Sequence, residues 1–251
     1  MSGVALVTGG AKRIGRAIAL RLADEGYAVA IHCRRSRGEA HDAKASIQSG
    51  GGRAEIVEAD LAAIADVTGL IGNASAALGP VTLLVNNASL FEPDDVQNLD
   101  PALWERHFAI NLRAPAFLTR DFARQLPDGR EGGVINIIDQ RVWKLNPRFF
   151  SYTLSKAALL TATRTMAQAL APRIRVNAIG PGPTLTSSRQ SAEDFARQGE
   201  ALPLREHPKP EDIAEAVVFL AKARSVTGQM LAVDGGQHLA WETPDVLAVR
   251  E

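Results

Sequence analysis

A single cysteine, Cys33, occurs in the 251 residues, and the five histidines show no spacing typical of metal ligands. One cysteine excludes an internal disulfide, and we expect no metal cluster. No apolar stretch reaches the roughly 20 residues that a transmembrane helix needs. The first residues run directly into a predicted strand, so we expect no signal peptide, no membrane span and a cytoplasmic location.

Neither sign of charge is in excess, because 28 lysine and arginine residues match 28 aspartate and glutamate residues. No overall field would therefore draw the protein to nucleic acid or to a membrane surface. The chain also lacks internal repeats, low-complexity tracts and a linker long enough to divide it. We predict one domain over residues 1–251, an ordinary length for a doubly wound sheet.

The beginning of the chain predicts a nucleotide-binding unit. VALV is a short apolar run typical of a buried parallel strand, and Ile18 and Leu22 contribute to the apolar face of a helix that follows. Between them, Gly9 and Gly15 let the backbone turn tightly and approach a pyrophosphate, which the N-terminus of the helix attracts.

Further apolar runs alternate with helical patterns along the rest of the chain. The runs are AEIVEAD, VTLLVNNA, GVINIID, IRVNAIG and MLAVDGG. This alternation predicts an α/β fold with a single doubly wound parallel sheet, the Rossmann fold, and helices on both faces.

The end of the second predicted strand indicates which dinucleotide binds. A site for NAD usually has an acidic residue there, whereas this chain has Arg34, Arg35 and Ser36. Guanidinium groups pair with phosphate oxygens through short charge-assisted hydrogen bonds. We therefore expect NADPH, bound through its 2′-phosphate, although a solvated basic loop is the alternative.

A possible proton-donating group lies further along the chain. Tyr152 and Lys156 are one helical turn apart, and Asp139 ends the apolar run VINIID. A phenol is a weak acid at neutral pH unless a neighbouring charge stabilises its phenolate, and a lysine ammonium about 4 Å away could do so. An ordinary solvated tyrosine and lysine pair is the alternative.

These motifs together resemble the short-chain dehydrogenase/reductase family over nearly the whole chain. They are TGGAKRIG at 8–15, Asp60 with Leu61, NNA at 86–88, Asn111, Tyr152 with Lys156, IRVNAIGPGPT and VTGQMLAVDGG. The resemblance implies that Tyr152 and Lys156 are catalytic, that Lys156 also binds the nicotinamide ribose, and that Asn111 helps to hold a water relay.

The cofactor contacts that we expect combine this resemblance with the glycine turn and the basic strand end. They are Gly9, Arg13, Ile14, Gly15, His32, Arg34, Arg35, Ser36, Asp60, Leu61, Asn87, Ala88, Ser89, Tyr152, Lys156, Pro181 and Gly182.

Two charged residues depart from the general pattern of the family, which usually has glycine at position 13 and serine at position 139. Here they are Arg13 and Asp139. An ionised aspartate would repel a developing alkoxide and raise the pKa of the tyrosine. A carboxyl group is better suited to a substrate with N–H donors, or to a ring nitrogen that is protonated as hydride arrives, which is C=N reduction.

The same departures resemble one branch of the family, the pteridine reductases and dihydromonapterin reductases. The branch implies NADPH-dependent reduction of a dihydropterin, with dihydrofolate as a further candidate, to the tetrahydro form. It also implies that Arg13 and Ser89 contact the pterin or the cofactor, that Phe91 stacks on the pterin, and that Asp139 and Tyr152 relay the proton.

Plainer alternatives stay open for three of these residues. Phe91 could anchor its loop in the core, Arg13 could only neutralise the pyrophosphate, and Asp139 could be a structural residue. The whole chain could also be a carbonyl or 3-oxoacyl reductase, or a noncatalytic NADPH-binding regulator, since fold does not fix function.

Two segments and the assembly complete the predictions. Residues 184–209 suit a substrate lid that contains a short helix. The family resemblance implies a homotetramer built through helices near 101–126 and 151–171 and the last strand. The tail WETPDVLAVRE carries apolar residues that could cross a subunit interface.

Overall fold

Seven strands form one parallel sheet in the computed structural model, which describes residues 3–186 and 189–241. They are β1 (Val4–Val7), β2 (Ala28–Cys33), β3 (Ala54–Glu58), β4 (Val81–Asn86), β5 (Gly132–Ile137), β6 (Ile174–Pro181) and β7 (Met230–Val233). Their order across the sheet is β3-β2-β1-β4-β5-β6-β7, and every neighbouring pair is parallel. Each apolar run in the sequence overlaps one of these strands, so the predicted parallel sheet is confirmed.

Helices cover both faces of the sheet. In the described residues they are α1 (Arg13–Asp24), α2 (Arg37–Ser49), α3 (Ile64–Leu78), α4 (Pro101–Phe108), α5 (Ala114–Gln125), α6 (Phe150–Leu170), α7 (Ala192–Glu200) and α8 (Pro210–Lys222). None of the described helices has both the length and the apolar character that crossing a bilayer requires. The doubly wound architecture predicted from the sequence is therefore observed.

Each face of the sheet buries its own apolar cluster, because successive side chains of a strand point to opposite faces. In β1, Ala5 and Val7 belong to the cluster that includes α1, α2 and α8, whereas Val4 and Leu6 belong to the cluster that includes α3 and α5. A strand that is covered on both sides has no polar face, which explains the unbroken apolar run VALV.

The order of the strands fixes the position of the ligand crevice. Strand β1 lies between β2 and β4, so the chain reverses its direction of travel across the sheet at this point. In open parallel sheets, ligands bind outside the carboxyl ends of the strands at such a reversal. The glycine turn after β1 and the NNA motif at the end of β4 both reach this edge.

One irregular helical segment brings a polar side chain to the same region. Ala109–Arg113 forms a π-helical turn between α4 and α5, and Asn111 within it is buried. Such turns are rare and occur frequently at functional sites, because the extra residue re-aims a side chain.

Candidate active site

A cavity of about 560 Å³ lies at the carboxyl ends of β1, β2 and β4. Most of the predicted cofactor residues line it: Gly9, Arg13, Ile14, Gly15, His32, Arg34, Arg35, Ser36, Asp60, Leu61, Asn87, Ala88 and Ser89. Its wall also includes Lys12, Ala59 and Ile110, which the sequence prediction missed. Lys12 could have been found as a cation inside the glycine turn, whereas Ala59 and Ile110 carry no signal beyond their apolar character.

The glycine turn has no room for side chains. Gly9 has a φ of +62°, in the region that favours glycine. A Cβ on Gly15 would collide with the carbonyl oxygen of Gly9 and lie 2.5 Å from Nδ2 of Asn87. That Asn87 amide donates to the carbonyl oxygen of Thr8 at 2.8 Å, so the end of β4 holds the turn in place.

His32 holds the glycine turn through a hydrogen bond. The backbone N–H of Gly9 donates to its Nδ1 at 3.0 Å, so Nδ1 carries no proton, and Nε2 lies 3.1 Å from the carbonyl oxygen of Ala59. Nε2 is therefore the protonated nitrogen of a neutral ring. Burial lowers the pKa of His32, which favours the same neutral form.

The basic group lies where β2 ends and α2 begins. Arg34 and Arg35 are exposed, and Ser36 is the N-cap of α2 without using its side chain as a cap. Arg34 faces Asp60 at 3.6 Å, a distance at which two half-exposed groups attract each other weakly. Arg37, by contrast, is paired with Glu58 at 2.6 Å. These contacts leave the hydrogen-bond donors of Arg34, Arg35 and Ser36 accessible to an anion.

Tyr152 and Asp139 form a direct hydrogen bond. The Tyr152 hydroxyl donates to Oδ2 of Asp139 at 2.8 Å. The other carboxyl oxygen, Oδ1, accepts the backbone N–H of Arg141 at 2.8 Å. Tyr152 is buried in the first turns of α6, whereas Asp139 is partly exposed just after β5.

Burial has the largest effect on the pKa of Tyr152. Desolvation first, and then Asp139, raise the pKa of Tyr152 well above its usual value, while Arg141 and Ser89 act in the opposite direction. Lys156 is not among the groups that shift the pKa of Tyr152, so its stabilisation of the phenolate stays a prediction. The expectation that Asp139 raises the pKa of Tyr152 is confirmed.

Lys156 is buried and directed at the backbone. Its Nζ donates to the carbonyl oxygen of Ile137 at 2.8 Å and lies 5.7 Å from the centre of the Tyr152 ring. Burial lowers the pKa of Lys156 to about 8. Enclosure by protein also raises the pKa of Asp139.

Asn111 organises the loop after β4. Its Nδ2 donates to the carbonyl oxygen of Leu90 and to the hydroxyl of Ser155, both at 3.0 Å. Its Oδ1 accepts the backbone N–H of Leu90 at 2.9 Å and the hydroxyl of Ser89 at 3.2 Å. The amide is fully engaged with protein, and its participation in a water relay stays a prediction.

Phe91 lies beside the tyrosine but already has an aromatic partner. Its ring stacks on Phe149, with centroids 4.2 Å apart, and meets the edge of Tyr152 at 4.7 Å. The guanidinium groups of Arg141 and Arg189 lie 5.6 Å and 5.4 Å from its centroid. The ring is thus a loop anchor, through Phe149, beside the tyrosine, and its stacking on a pterin stays a prediction.

Arg13 links the glycine turn to the predicted lid. It has a φ of +55°, unusual for a residue with a side chain. Its guanidinium donates to the carbonyl oxygens of Thr186 and Leu185 at 3.1 Å and 3.4 Å. The alternative in which Arg13 serves only the pyrophosphate would leave these contacts unexplained.

Pro181 and Gly182 lie elsewhere than the cavity wall. Pro181 ends β6, and a Cβ on Gly182 would lie 2.6 Å from Cα of Asp234. The glycine therefore permits close packing of the chain against the end of β7. Contact of these two residues with a cofactor stays a prediction.

The predicted lid contains α7, as its sequence pattern indicated. Residues 187–188 lie outside the described residues. Beyond them, Arg189 donates to the carbonyl oxygen of Phe91 at 2.8 Å and pairs with Glu92 at 2.9 Å. The segment thus meets the glycine turn on one side and the loop after β4 on the other. The tail WETPDVLAVRE lies outside the described residues beyond Trp241.

A buried network next to Tyr152 has no counterpart in the sequence prediction. Nδ1 of His107 lies 2.6 Å from the hydroxyl of Ser151, which donates in turn to the carboxylate of Asp94. Asp94 also accepts the backbone N–H of Ser151, and its own carbonyl oxygen accepts that of Phe149 at 2.8 Å. The loop after β4 therefore caps the helix that carries the tyrosine.

The chain is similar to known reductases along most of its length. A family model described as enoyl-(acyl carrier protein) reductase matches residues 9–238. The 3-oxoacyl-[acyl-carrier-protein] reductase FabG of Staphylococcus epidermidis is 32% identical over 244 residues, which cover 95% of this chain and all of that protein.

Two solved structures are similar along nearly their whole length. FolM alternative dihydrofolate reductase 1 from Brucella suis, crystallised with NADP, has 58% sequence identity and a TM-score of 0.94, with 97% of this chain and 98% of that chain covered. A short-chain dehydrogenase/reductase from Serratia marcescens has 33% identity and a TM-score of 0.88, with coverages of 93% and 97%.

Proposed function

Since the chain belongs to the short-chain dehydrogenase/reductase family, we propose that it is an NADPH-dependent reductase of a dihydropterin or a dihydrofolate. The product is the tetrahydro form. The observation that carries the proposal is the hydrogen bond between Tyr152 and Asp139, at the edge of the sheet where the cofactor cavity opens.

An aspartic acid next to the tyrosine suits the protonation of nitrogen. Because enclosure raises the pKa of Asp139, its acid form persists to higher pH than that of a solvated aspartate. An acid that keeps its proton can replace the one that Tyr152 gives to a ring nitrogen. A serine at this position could donate a hydrogen bond but could not supply a proton of comparable acidity.

The cavity wall fits NADPH. The close packing around Gly9 and Gly15 excludes side chains from the turn, so the backbone there can approach a pyrophosphate. Arg34 and Arg35, beside the N-terminus of α2, offer guanidinium donors for a 2′-phosphate. NADPH supplies the hydride when bound, and the named FolM relative was crystallised with NADP.

Tyr152, Asp139 and Lys156 are the residues of this chain that hold and transfer the proton. Tyr152 holds it at its hydroxyl, and Asp139 is the acid that can return it after transfer to substrate. Lys156 donates to the carbonyl oxygen of Ile137 and, with a pKa of about 8, carries its positive charge beside the tyrosine at neutral pH. Ser89 and Phe91 line the approach to this pair.

A carbonyl or 3-oxoacyl reductase is the second candidate. The FabG relative and the enoyl reductase family model favour it, and the catalytic tyrosine and lysine would serve either reaction. Asp139 bears on this candidate through its charge: the ionised carboxylate would oppose the negative charge that develops on a carbonyl oxygen, whereas the acid form could donate a hydrogen bond to it. A noncatalytic NADPH-binding regulator would need the cofactor cradle without the Asp139–Tyr152 pair.

The test is NADPH oxidation with a panel of substrates. Dihydrobiopterin, dihydromonapterin and dihydrofolate are compared with an acetoacetyl thioester and simple ketones, with NADH as a control cofactor. Turnover of the pterins alone supports the proposal, turnover of the carbonyl compounds alone contradicts it, and NADPH binding without any turnover favours the regulator. Tyr152→Phe, which keeps the ring but removes the proton, is the control for background activity.

We also propose that the protein assembles as a homotetramer. Exposed apolar side chains on α6, α8 and β7 support this, namely Leu154, Phe219 and Leu231. Sedimentation equilibrium measures the assembly directly, and a monomer at micromolar concentration would contradict the proposal.

A further inference from the structure

Two arginines lie against one aromatic pair at the edge of the catalytic cluster. The guanidinium of Arg141 is 5.0 Å from the centroid of Phe149 and 5.6 Å from that of Phe91. The guanidinium of Arg189 is 5.9 Å and 5.4 Å from the same centroids. Cations attract the faces of aromatic rings, so both side chains are held near the site.

The two arginines differ in their polar partners. Arg189 is paired with Glu92 and also bonds the carbonyl oxygen of Phe91. The guanidinium of Arg141 has ring contacts, but within residues 3–186 and 189–241 it has no hydrogen-bond or ion-pair partner. Its five N–H donors can therefore receive a ligand without displacing a protein carboxylate.

The position of Arg141 is fixed relative to the proton-transfer pair. Asp139 precedes a short helical turn, Gln140–Val142, and its Oδ1 accepts the backbone N–H of Arg141 at 2.8 Å. The carboxyl group that bonds Tyr152 through one oxygen thus orients Arg141 through the other. A substrate whose ring meets Tyr152 and whose arm leaves on the side of Phe91 and Phe149 would extend that arm towards this guanidinium.

The charge around Arg141 favours an anion. The Asp139 carboxyl accepts the backbone N–H of Arg141 and the Tyr152 hydroxyl rather than the guanidinium, while Glu92 is paired with Arg189. A planar guanidinium pairs with carboxylate and phosphate oxygens in a fork that a neutral hydroxyl cannot match.

From this geometry, and resting on the proposed function, we propose that Arg141 binds an anionic group on the arm of the dihydropterin. The preferred substrates are then pterins whose arm ends in a carboxylate, as in a folate, or in a phosphate. Pterins with a neutral hydroxylated arm occupy the same ring site and lack this contact. Arg141 therefore determines substrate specificity, whereas Tyr152 and Asp139 carry out proton transfer.

The experiment compares substrates with acidic and neutral arms in matched variants. The values of kcat/KM are measured for dihydrofolate, a phosphorylated dihydropterin and dihydrobiopterin with wild type, Arg141→Gln and Arg141→Lys. Lys144→Gln is the control, because it removes one exposed positive charge from the same segment. Fluorescence titration with NADPH checks that each variant is folded, and titration with oxidised folate and biopterin measures binding without turnover.

Arg141→Gln should lower kcat/KM and affinity for an acidic-arm substrate by about tenfold to a hundredfold, the range expected for hydrogen bonds to a charged group. Dihydrobiopterin should change by less than about threefold, because its arm makes no charged contact. Arg141→Lys should recover part of the loss through its point charge. Which acidic substrate responds distinguishes a carboxylate arm from a phosphate arm.

Equal losses for acidic and neutral arms would overturn this inference, and Arg141 would then support Asp139 or the aromatic pair. The same conclusion follows if Lys144→Gln reproduces the selective loss, since a general field would be responsible. If wild type reduces none of the pterins, the proposed function itself fails. If wild type reduces them and Arg141→Gln has no selective effect, the proposed function stands and this inference alone is lost.

Discussion

Replacement of Asp139 by asparagine tests the proton chemistry most directly. Two negative charges at the 2.8 Å separation of Tyr152 and Asp139 would repel by about 6 kcal/mol at an effective dielectric constant of about 20. The pair therefore keeps at least one proton at neutral pH, and that proton is the one available for substrate. Asparagine preserves the shape and a hydrogen bond but cannot donate a proton.

Asp139→Asn should consequently lower kcat for a dihydropterin by about a hundredfold to ten-thousandfold, the usual contribution of a general acid. The affinity for NADPH should stay within about twofold, because Asp139 lies outside the wall of the cofactor cavity. Stopped-flow measurement of NADPH oxidation, together with fluorescence titration, separates the two effects. A normal kcat in the variant would refute the assignment of Asp139 as the proton source.

The pH dependence of kcat and of Tm tests the Asp139 and Tyr152 pair independently. Because the pKa of Asp139 is raised in the folded protein, its acid form is complete at low pH and is lost as pH rises through that pKa. Wild-type kcat should fall as pH rises through this pKa, and Asp139→Asn should abolish this pH dependence. The protonated carboxyl also stabilises the fold below the pKa of the unfolded state, and this stabilisation disappears over the same rise. Asp139→Asn should therefore flatten the decrease of Tm with pH.

The other predictions concern the cofactor turn, the phosphate and the helix cap. Arg34→Ala combined with Arg35→Ala should raise the KM for NADPH by about tenfold to a hundredfold and leave the KM for NADH within about threefold; equal increases would contradict the 2′-phosphate assignment. Gly15→Ala should cost about 1–3 kcal/mol in urea unfolding, whereas Gly38→Ala, which meets open space in a helix, should stabilise by about 0.5–1 kcal/mol. Asp94→Asn should lower Tm and kcat without changing NADPH affinity. Asp95→Asn, whose carboxylate bonds only the turn at Gln97 and Asn98 in the described residues, should leave kcat unchanged.

Much of the fold could be predicted from short apolar runs. A parallel strand that is buried on both faces needs an unbroken apolar segment, and VALV in β1 and VTLLV in β4 are such segments. The glycine turn could also be predicted from the sequence, because the close approach of Gly9 and Gly15 excludes any side chain. These signals are local, so a single sequence contains them.

The electrostatics of the site could be predicted only in part. The sequence indicates that Asp139, Tyr152 and Lys156 are neighbours, and it led to the correct direction for the effect of Asp139 on the pKa of Tyr152. It could not give the extent of burial. Desolvation is the largest influence on the pKa of all three groups, and it depends on elements packed from distant parts of the chain.

Long-range polar contacts were the least predictable part of the site. His32 occurs in a strand with no feature that marks it as the acceptor for the N–H of Gly9. The bonds from Arg13 to Thr186 and from Ser151 to Asp94 join positions far apart in the chain. Such contacts follow from the three-dimensional path of loops, for which sequence spacing offers no rule.

The capping network connects substrate recognition to proton transfer. Phe149 has a φ of +61°, which a residue with a side chain adopts at a cost of roughly 1–2 kcal/mol, and its N–H is satisfied by the carbonyl oxygen of Asp94. Asp94 belongs to the loop that also carries Phe91, which stacks on Phe149 and touches Tyr152. The loop and the start of α6 therefore hold each other in one geometry. We expect a ligand that moves Phe91 to disturb the N-terminus of α6 as well, because Phe91 packs on Phe149 and the loop that carries Phe91 caps this helix.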